Sequence, residues 1–389
     1  MLIGYVSDER FVALAGVSLL FENERDWVAA TSLADGSVRE ALAPGSYRVT
    51  LSKDGFGSKR VTVEIEDGRP FQFRLLSNQL LGYVWPKWIR CGEQGEFRVH
   101  SPEPYKLSLW RYGWEKELER PIGWFDEHGP GATMQITPDG DYSQGGVRWN
   151  EVGYTSPVHK QFLAAPDRSG LYYFHAKTES GESFAFPWIV APRAPTAKTA
   201  VLASNITWNA YNSFGGRSNY IHPVTLPPTP TAHARSELSR YTDPTHRHYP
   251  CKDYDRLSFD RPEPINHIPE NELIAGPIEG RAASHVAPAL WRLLGWLERE
   301  EFDHDLYAET QLQFDELPLD EYRTLVLDSH PEYWSREMYS RVKSWVFERG
   351  GRLIYLGGNG LNCEVEFLDE KTCVYRNEDC TELADEARG

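Results

Sequence analysis

The chain lacks any long apolar run. No stretch approaches the ~18 uninterrupted apolar residues that a membrane helix needs, so no membrane partner is expected. It also lacks a basic surplus: 41 Lys and Arg stand against 57 Asp and Glu, a net charge of −16, and no local Lys/Arg cluster offsets that deficit. Nucleic-acid binding needs a basic footprint, so no nucleic-acid partner is expected either. The opening MLIGYVSDERF has no basic n-region and no apolar h-region, which argues against a secretory signal. Cysteines are few and odd in number (Cys91, Cys251, Cys363, Cys373, Cys380), without metal-type CxxC spacing. That argues against a disulfide scaffold and a thiolate zinc site, and fits a reducing, cytoplasmic setting. Aromatics are what the chain has in excess, with 13 Trp and 20 Tyr. Their main use is core and inter-domain packing; the alternative is a ligand groove.

At 389 residues the chain has room for two or three domains. Residues 1–80 read as all-β. Turn signals recur at Asp35-Gly36, Pro44-Gly45, Asp54-Gly55 and Asp67-Gly68, with alternating segments such as Tyr47–Leu51 and Val61–Ile65 between them. The pattern of DG, PG and GF turns resembles the transthyretin-like domains related to the carboxypeptidase regulatory domain. Residues 81–191 predict a second sandwich, of immunoglobulin-like type, with strands at Glu96–His100, Lys106–Trp110, Gly170–Ala176 and Ser183–Val190. Pro192–Thr196 is a linker. From 198 the texture changes: buried strands at Thr199–Ala203, Tyr322–Asp328 and Arg352–Leu356 alternate with helices from Ala287 and over Glu337–Glu348, the latter capped by Ser335. This predicts a parallel α/β layer over 198–389.

In an open α/β sheet, ligands bind beyond the C-terminal strand ends. Two such ends are unusually polar: Ser204–Tyr220, containing Tyr211, and Asp328-Ser329-His330-Pro331-Glu332. With Gly357-Gly358-Asn359-Gly360 they are expected to converge on one rim. His330 and Glu332 offer an imidazole and a carboxylate two residues apart, which suits an acid/base pair or a metal site. The other reading has Glu332 accepting backbone N–H bonds beside the Ser335 cap. Tyr211 alone reads as packing. His246, His248 and Cys251 make a weak zinc signal.

The ordered segments TWNAYNSFGGRSNY, LSFDRP, LLGWLEREEFDHDLY, LDSHPEYWS and GGRLIYLGGNG, over about 198–375, resemble the large, catalytic subunit of N,N-dimethylformamidase. The resemblance implies a class I glutamine amidotransferase-like (flavodoxin-like) domain without that class's nucleophile; Cys363, three residues past the glycine turn, reads as structural. It implies a mononuclear Fe(III) held by two Tyr and one Glu. Glu332 matches the Glu, Tyr211 the first Tyr, and Tyr254, or else Tyr249, the second; His330 matches the nearby catalytic His. Phenolate and carboxylate are hard donors suited to that ion. The implied reaction is hydrolysis of small N-substituted formamides to formate and amine, with a small partner subunit, and the chain is expected to form a homo-oligomer.

Two departures shape the expectations. Arg261-Pro262-Glu263 stands where the family often reads RPY, so the second phenolate is either absent or replaced by a carboxylate. The family also continues well past the equivalent of Tyr375 and supplies another carboxylate there, so the chain is expected to be incomplete at its C-terminus and a poor catalyst as given. The alternative is a non-catalytic protein that binds a polar ligand such as a carbohydrate.

Overall fold

A computed structural model describes residues 1–8, 11–125, 142–143, 146–147, 161–212, 214, 218–219, 229–231, 256–271 and 286–376. The chain divides into two compact units. One comprises Met1–Gln79, Thr137–Gly153 and Ser213–Leu257; the other comprises Leu80–Ile136, Tyr154–Asn212 and Ser258–Gly389. The architecture is mostly β-sheet, in several sheets, with few helices. No helix among the described residues is long and apolar enough to cross a membrane.

The first unit builds a sandwich from a three-stranded and a four-stranded sheet. Leu2–Asp8 lies between Ser37–Arg39 and Phe71–Leu75 in one; Ser18–Glu22 and Gly45–Ser52 are central in the other. Strict alternation decides the faces: Tyr47, Val49 and Leu51 point inward, joining Val6, Leu19, Phe21 and Phe73 in one core. The sharp reversals fall on Gly36, Gly55 and Gly68, whose φ angles of 78°, 80° and 76° favour residues without a Cβ.

The second unit opens with two more sheets. Gln94–His100 lies between Leu81–Trp85 and Phe162–Ala164; a five-stranded sheet runs Lys116–Phe125, Tyr105–Tyr112, Gly170–Thr178, Ser183–Ala191, Trp88–Arg90. The aromatic surplus goes into its core: Phe174 stacks on Phe186 at 5.0 Å, and Trp188 is fully buried against Phe174.

The same unit carries a four-stranded parallel sheet in the order Asp305–Ala308, Thr199–Ala203, Thr324–Leu327, Arg352–Tyr355. In chain order this is 2-1-3-4. Helix Ala287–Arg299 buries Leu290, Trp291, Leu294 and Leu297 at helical spacing. Helix Arg336–Phe347 starts where the Ser335 hydroxyl accepts the Met338 N–H, at 3.1 Å, and buries Met338, Val342 and Trp345. One expectation fails. The expected buried strand Arg352–Leu356 forms over Arg352–Tyr355, but all five residues are exposed, because the strand is at the sheet's edge and nothing among the described residues covers it.

Candidate functional site

The first parallel strand ends at Ala203 and runs into a single short helix, Asn205–Tyr211. Asn205 to Ala210 are all buried, so every backbone and side-chain polar group here needs a protein partner. The asparagine side chains that looked like site lining meet this need. Asn205 exchanges hydrogen bonds with Thr310, and Asn212 donates to the Pro262 carbonyl at 2.7 Å. Arg261, fully buried, donates to the Asn209 and Asn212 carbonyls, each at 3.0 Å, satisfying the orphan acceptors at the helix C-terminus with a cation.

That helix delivers Tyr211 to the segment beyond the central strand. Tyr211 Oη donates to Glu332 Oε2 at 2.7 Å, and His330 Nε2 lies 3.3 Å from both oxygens. The Tyr211 and His330 rings meet edge to face, with centroids 5.7 Å apart. Glu332 is almost fully buried, whereas the His330 side chain keeps 14% of its surface exposed, so the imidazole borders solvent. The Glu332 N–H donates to Thr207 Oγ1 at 3.1 Å, tying the loop to the helix's first turn. Thus the Glu332 carboxylate faces the phenol.

The glycine turn wraps the same loop. Gly358 donates to the Ser329 carbonyl, Leu361 to Pro331, and Asn362 and Cys363 both to Glu332. The approach is close: a Cβ on Gly357 would sit 2.5 Å from Pro331 and 3.1 Å from the Ser329 carbonyl oxygen. All three strand ends therefore meet. Cys363 is a buried thiol at the start of strand Cys363–Phe367, which pairs with Tyr333–Trp334.

Asp328 and Glu309 are two further buried carboxyls of the second unit. Burial pushes Asp328 up to about 7, with Ser329 and His330 pulling the other way. Burial also raises Glu309 well above the usual carboxylate range, against the pull of its Trp334 and Ile206 hydrogen bonds. Glu263, the residue in place of the family's Tyr, is engaged: Oε1 pairs with Lys87 Nζ at 2.6 Å and Oε2 accepts from Asn266 at 2.9 Å. Tyr254, Tyr249, His246, His248 and Cys251 lie outside the described residues. Among the described residues no group of three or more His, Cys, Asp and Glu could hold a metal. The donor set in place is one phenol, one carboxylate and one imidazole. Sequence reasoning missed Thr207, Glu309 and Arg261; Arg261 stood inside a quoted motif, but its role depends on contacts 49 and 52 residues away.

No curated protein matches the chain. Three solved structures share weak likeness. A DUF3823 family protein from Bacteroides ovatus is 9% identical, covering 45% of this chain and 92% of its own, with a TM-score of 0.17. The Bacillus anthracis TIE protein is 12% identical over 51% of this chain and 34% of its own, at 0.18. A putative carbohydrate binding protein from Bacteroides uniformis is 10% identical over 47% and 87%, at 0.17. Scores this low carry no argument. The family comparison differs in kind, because residues 107–388 match the family described as N,N-dimethylformamidase beta subunit-like, C-terminal. The match reaches back from the parallel sheet into the second sandwich, and it names the beta subunit where the sequence reading named the large one. Spanning well over half of the chain, it makes this protein a member of the N,N-dimethylformamidase beta subunit-like family.

Proposed function

We propose that the chain is the metal-bearing part of an amide hydrolase acting on small N-substituted formamides of the dimethylformamide type. The observation that carries the reading is the approach of Tyr211 Oη and Glu332 Oε2 to 2.7 Å, with His330 Nε2 beside both. Two oxygens each about 2 Å from one octahedral ion lie about 2.8 Å apart when adjacent, so this pair fits two neighbouring positions on a hard cation. Fe(III) is the proposed ion, with Tyr254 or Tyr249 as the third donor. Glu263 is not a candidate, since Lys87 already neutralises it. When bound, the ion supplies a Lewis acid for the amide carbonyl and acidifies water. The chain's residues do the rest. Glu332 and Tyr211 hold fixed positions through Thr207 and the buried helix, and His330, at the solvent border, accepts the proton of the attacking water and delivers it to the departing amine nitrogen. The balance is one C–N bond broken, one C–O bond formed, and formic acid and amine released.

The 2-1-3-4 parallel order supports a flavodoxin-like layer of the class I glutamine amidotransferase type. A cytoplasmic location, a small partner subunit and a homo-oligomer complete the proposal. Metal analysis and a visible spectrum test it: one iron per chain and a phenolate-to-iron charge-transfer band are expected, with both lost in Glu332→Gln. Release of dimethylamine from dimethylformamide by the iron-loaded chain tests the substrate. Iron content identical in wild type, Tyr211→Phe and Glu332→Gln refutes the metal site and leaves the non-catalytic binding alternative.

A further inference from the structure

The helix that presents Tyr211 has an unusual start. Ser204 occupies its N-cap position, yet the side chain caps nothing and its buried hydroxyl has no hydrogen-bond partner among the described residues. The first-turn N–H groups of a helix need acceptors, and a buried helix cannot take them from water. The acceptor here comes from a different strand end. Glu309, the residue just after Asp305–Ala308, is 1% exposed, and its Oε2 accepts the Ile206 N–H at 3.3 Å. Its other oxygen, Oε1, accepts the Trp334 indole N–H at 2.7 Å. Ile206 lies five residues before Tyr211 on the site helix, and Trp334 lies two residues after Glu332. One buried carboxyl therefore grips both segments that carry the donor pair. The neighbouring Thr310–Asn205 exchange fixes the same junction from the side.

We infer that Glu309 is a positioning residue, which sets the separation of Tyr211 and Glu332 by bridging the first turn of the Tyr211 helix to the Glu332 loop. The inference rests on the reading of those two residues as metal donors. Groups hydrogen-bonded directly to metal ligands typically change metal affinity 10- to 100-fold when removed; Glu309 acts on the two segments and not on the donors themselves, so the low end, about tenfold, is expected. Glu309→Gln keeps the shape but offers one oxygen to two N–H donors, so one of the two segments loses its anchor. Glu309→Asp draws the carboxyl back by a methylene and has the same direction of effect should the Gln variant fail to fold. Tyr322→Phe is the control: it removes buried hydrogen bonds to Asp305 and Tyr307 on the same sheet without touching either segment.

The test uses the full chain and two readouts. Hydrogen exchange followed by mass spectrometry needs no metal. Glu309→Gln is expected to speed exchange at least tenfold in 204–211 and 330–334 relative to Tyr322→Phe, and unchanged exchange there overturns the inference. Titration with Fe(III), read at the charge-transfer band, is expected to show about tenfold weaker binding and a displaced band in Glu309→Gln, with both unchanged in Tyr322→Phe. A wild type that binds iron and a Glu309→Gln chain with the same affinity and band overturn the positioning role. A wild type that binds no iron refutes the metal reading, and hydrogen exchange then decides the role of Glu309.

Discussion

Removing the carboxyl of Asp260 tests how the second unit is locked together. Asp260 belongs to the LSFDRP segment and is 2% exposed. Its Oδ1 receives the Tyr83 hydroxyl at 2.8 Å and ion-pairs with Arg98, while Lys371 stands 3.7 Å from Oδ2. Arg98 is held from its other edge by Glu96, at 2.6 and 3.1 Å. Breaking a buried pair by deleting one partner costs about 3–5 kcal/mol. Because Arg98 keeps Glu96, the low end applies, about 3 kcal/mol. Tyr83 also loses its acceptor, and an unsatisfied buried hydroxyl costs about 1–3 kcal/mol. Asp260→Ala is therefore expected to lose on the order of 4 kcal/mol. Asp260→Asn retains an acceptor oxygen and sheds a charge whose burial is itself unfavourable: burial pushes the Asp260 carboxyl up even against Arg98. Its cost should stay near 1–2 kcal/mol. Urea unfolding of the two variants supplies the comparison. Losses below about 1 kcal/mol for Asp260→Ala, or a larger loss for Asn than for Ala, would show that this cluster behaves like a surface pair.

Three smaller perturbations follow from single contacts. A Cβ at Gly351 would meet the buried Trp345 ring at 2.2 Å, so Gly351→Ala should cost about 1–3 kcal/mol in thermal unfolding, and a neutral result would mean the turn relaxes freely. Ser335→Ala removes the cap on Met338 and should cost about 1 kcal/mol, read by the same melt. Asp328 holds its proton up to about pH 7 in the fold but only to about 3.8 when unfolded, so its contribution is fully present below the unfolded value and lost as pH rises through 7. Asp328→Asn should remove up to about 4 kcal/mol of stability decline between pH 4 and 7; parallel stability curves for variant and wild type would refute the shift.

How much was legible in the sequence depended on the range of the interaction. The first sandwich was readable because its signals are local: Gly36, Gly55 and Gly68 mark turns by their own backbone, and Tyr47–Leu51 declares its faces by period two. The helix capped by Ser335 was readable for the same reason. Arg352–Leu356 misled because an apolar run reports that a strand forms and is silent about what covers it; here Leu353, Ile354, Tyr355 and Leu356 are 39–50% exposed. The asparagines after Ala203 misled in the opposite sense. Polar density at a strand end resembles a ligand rim, but Asn205, Asn209 and Asn212 answer the hydrogen-bonding needs of a helix buried on every side. Tyr211 and Glu332, 121 residues apart, were paired in the sequence by resemblance to a family; periodicity alone gives no such pairing.

The strand end that sequence reasoning passed over completes the logic of the other two. Parallel strands all finish on one side of a sheet, and each must hand the chain to a helix or loop whose first amides lack partners. After Thr199–Ala203 the chain supplies donors, the N–H groups of a helix that Ser204 fails to cap. After Thr324–Leu327 it supplies Glu332 and, two residues on, the Trp334 indole. After Asp305–Ala308 it supplies Glu309, which reads in sequence as an ordinary acidic residue in the first turn of a helix, placed there by the helix dipole. In the fold its carboxyl turns away from that role and answers the donors of both other ends. Burial makes the arrangement rigid, because no water is available to replace either hydrogen bond. The acid–phenol pair is held at hydrogen-bonding distance by an interaction whose three partners sit on three different strand ends, at positions 206, 309 and 334. For such a cluster the spacing along the chain carries no signal, and only the 2-1-3-4 order of the sheet brings its members together.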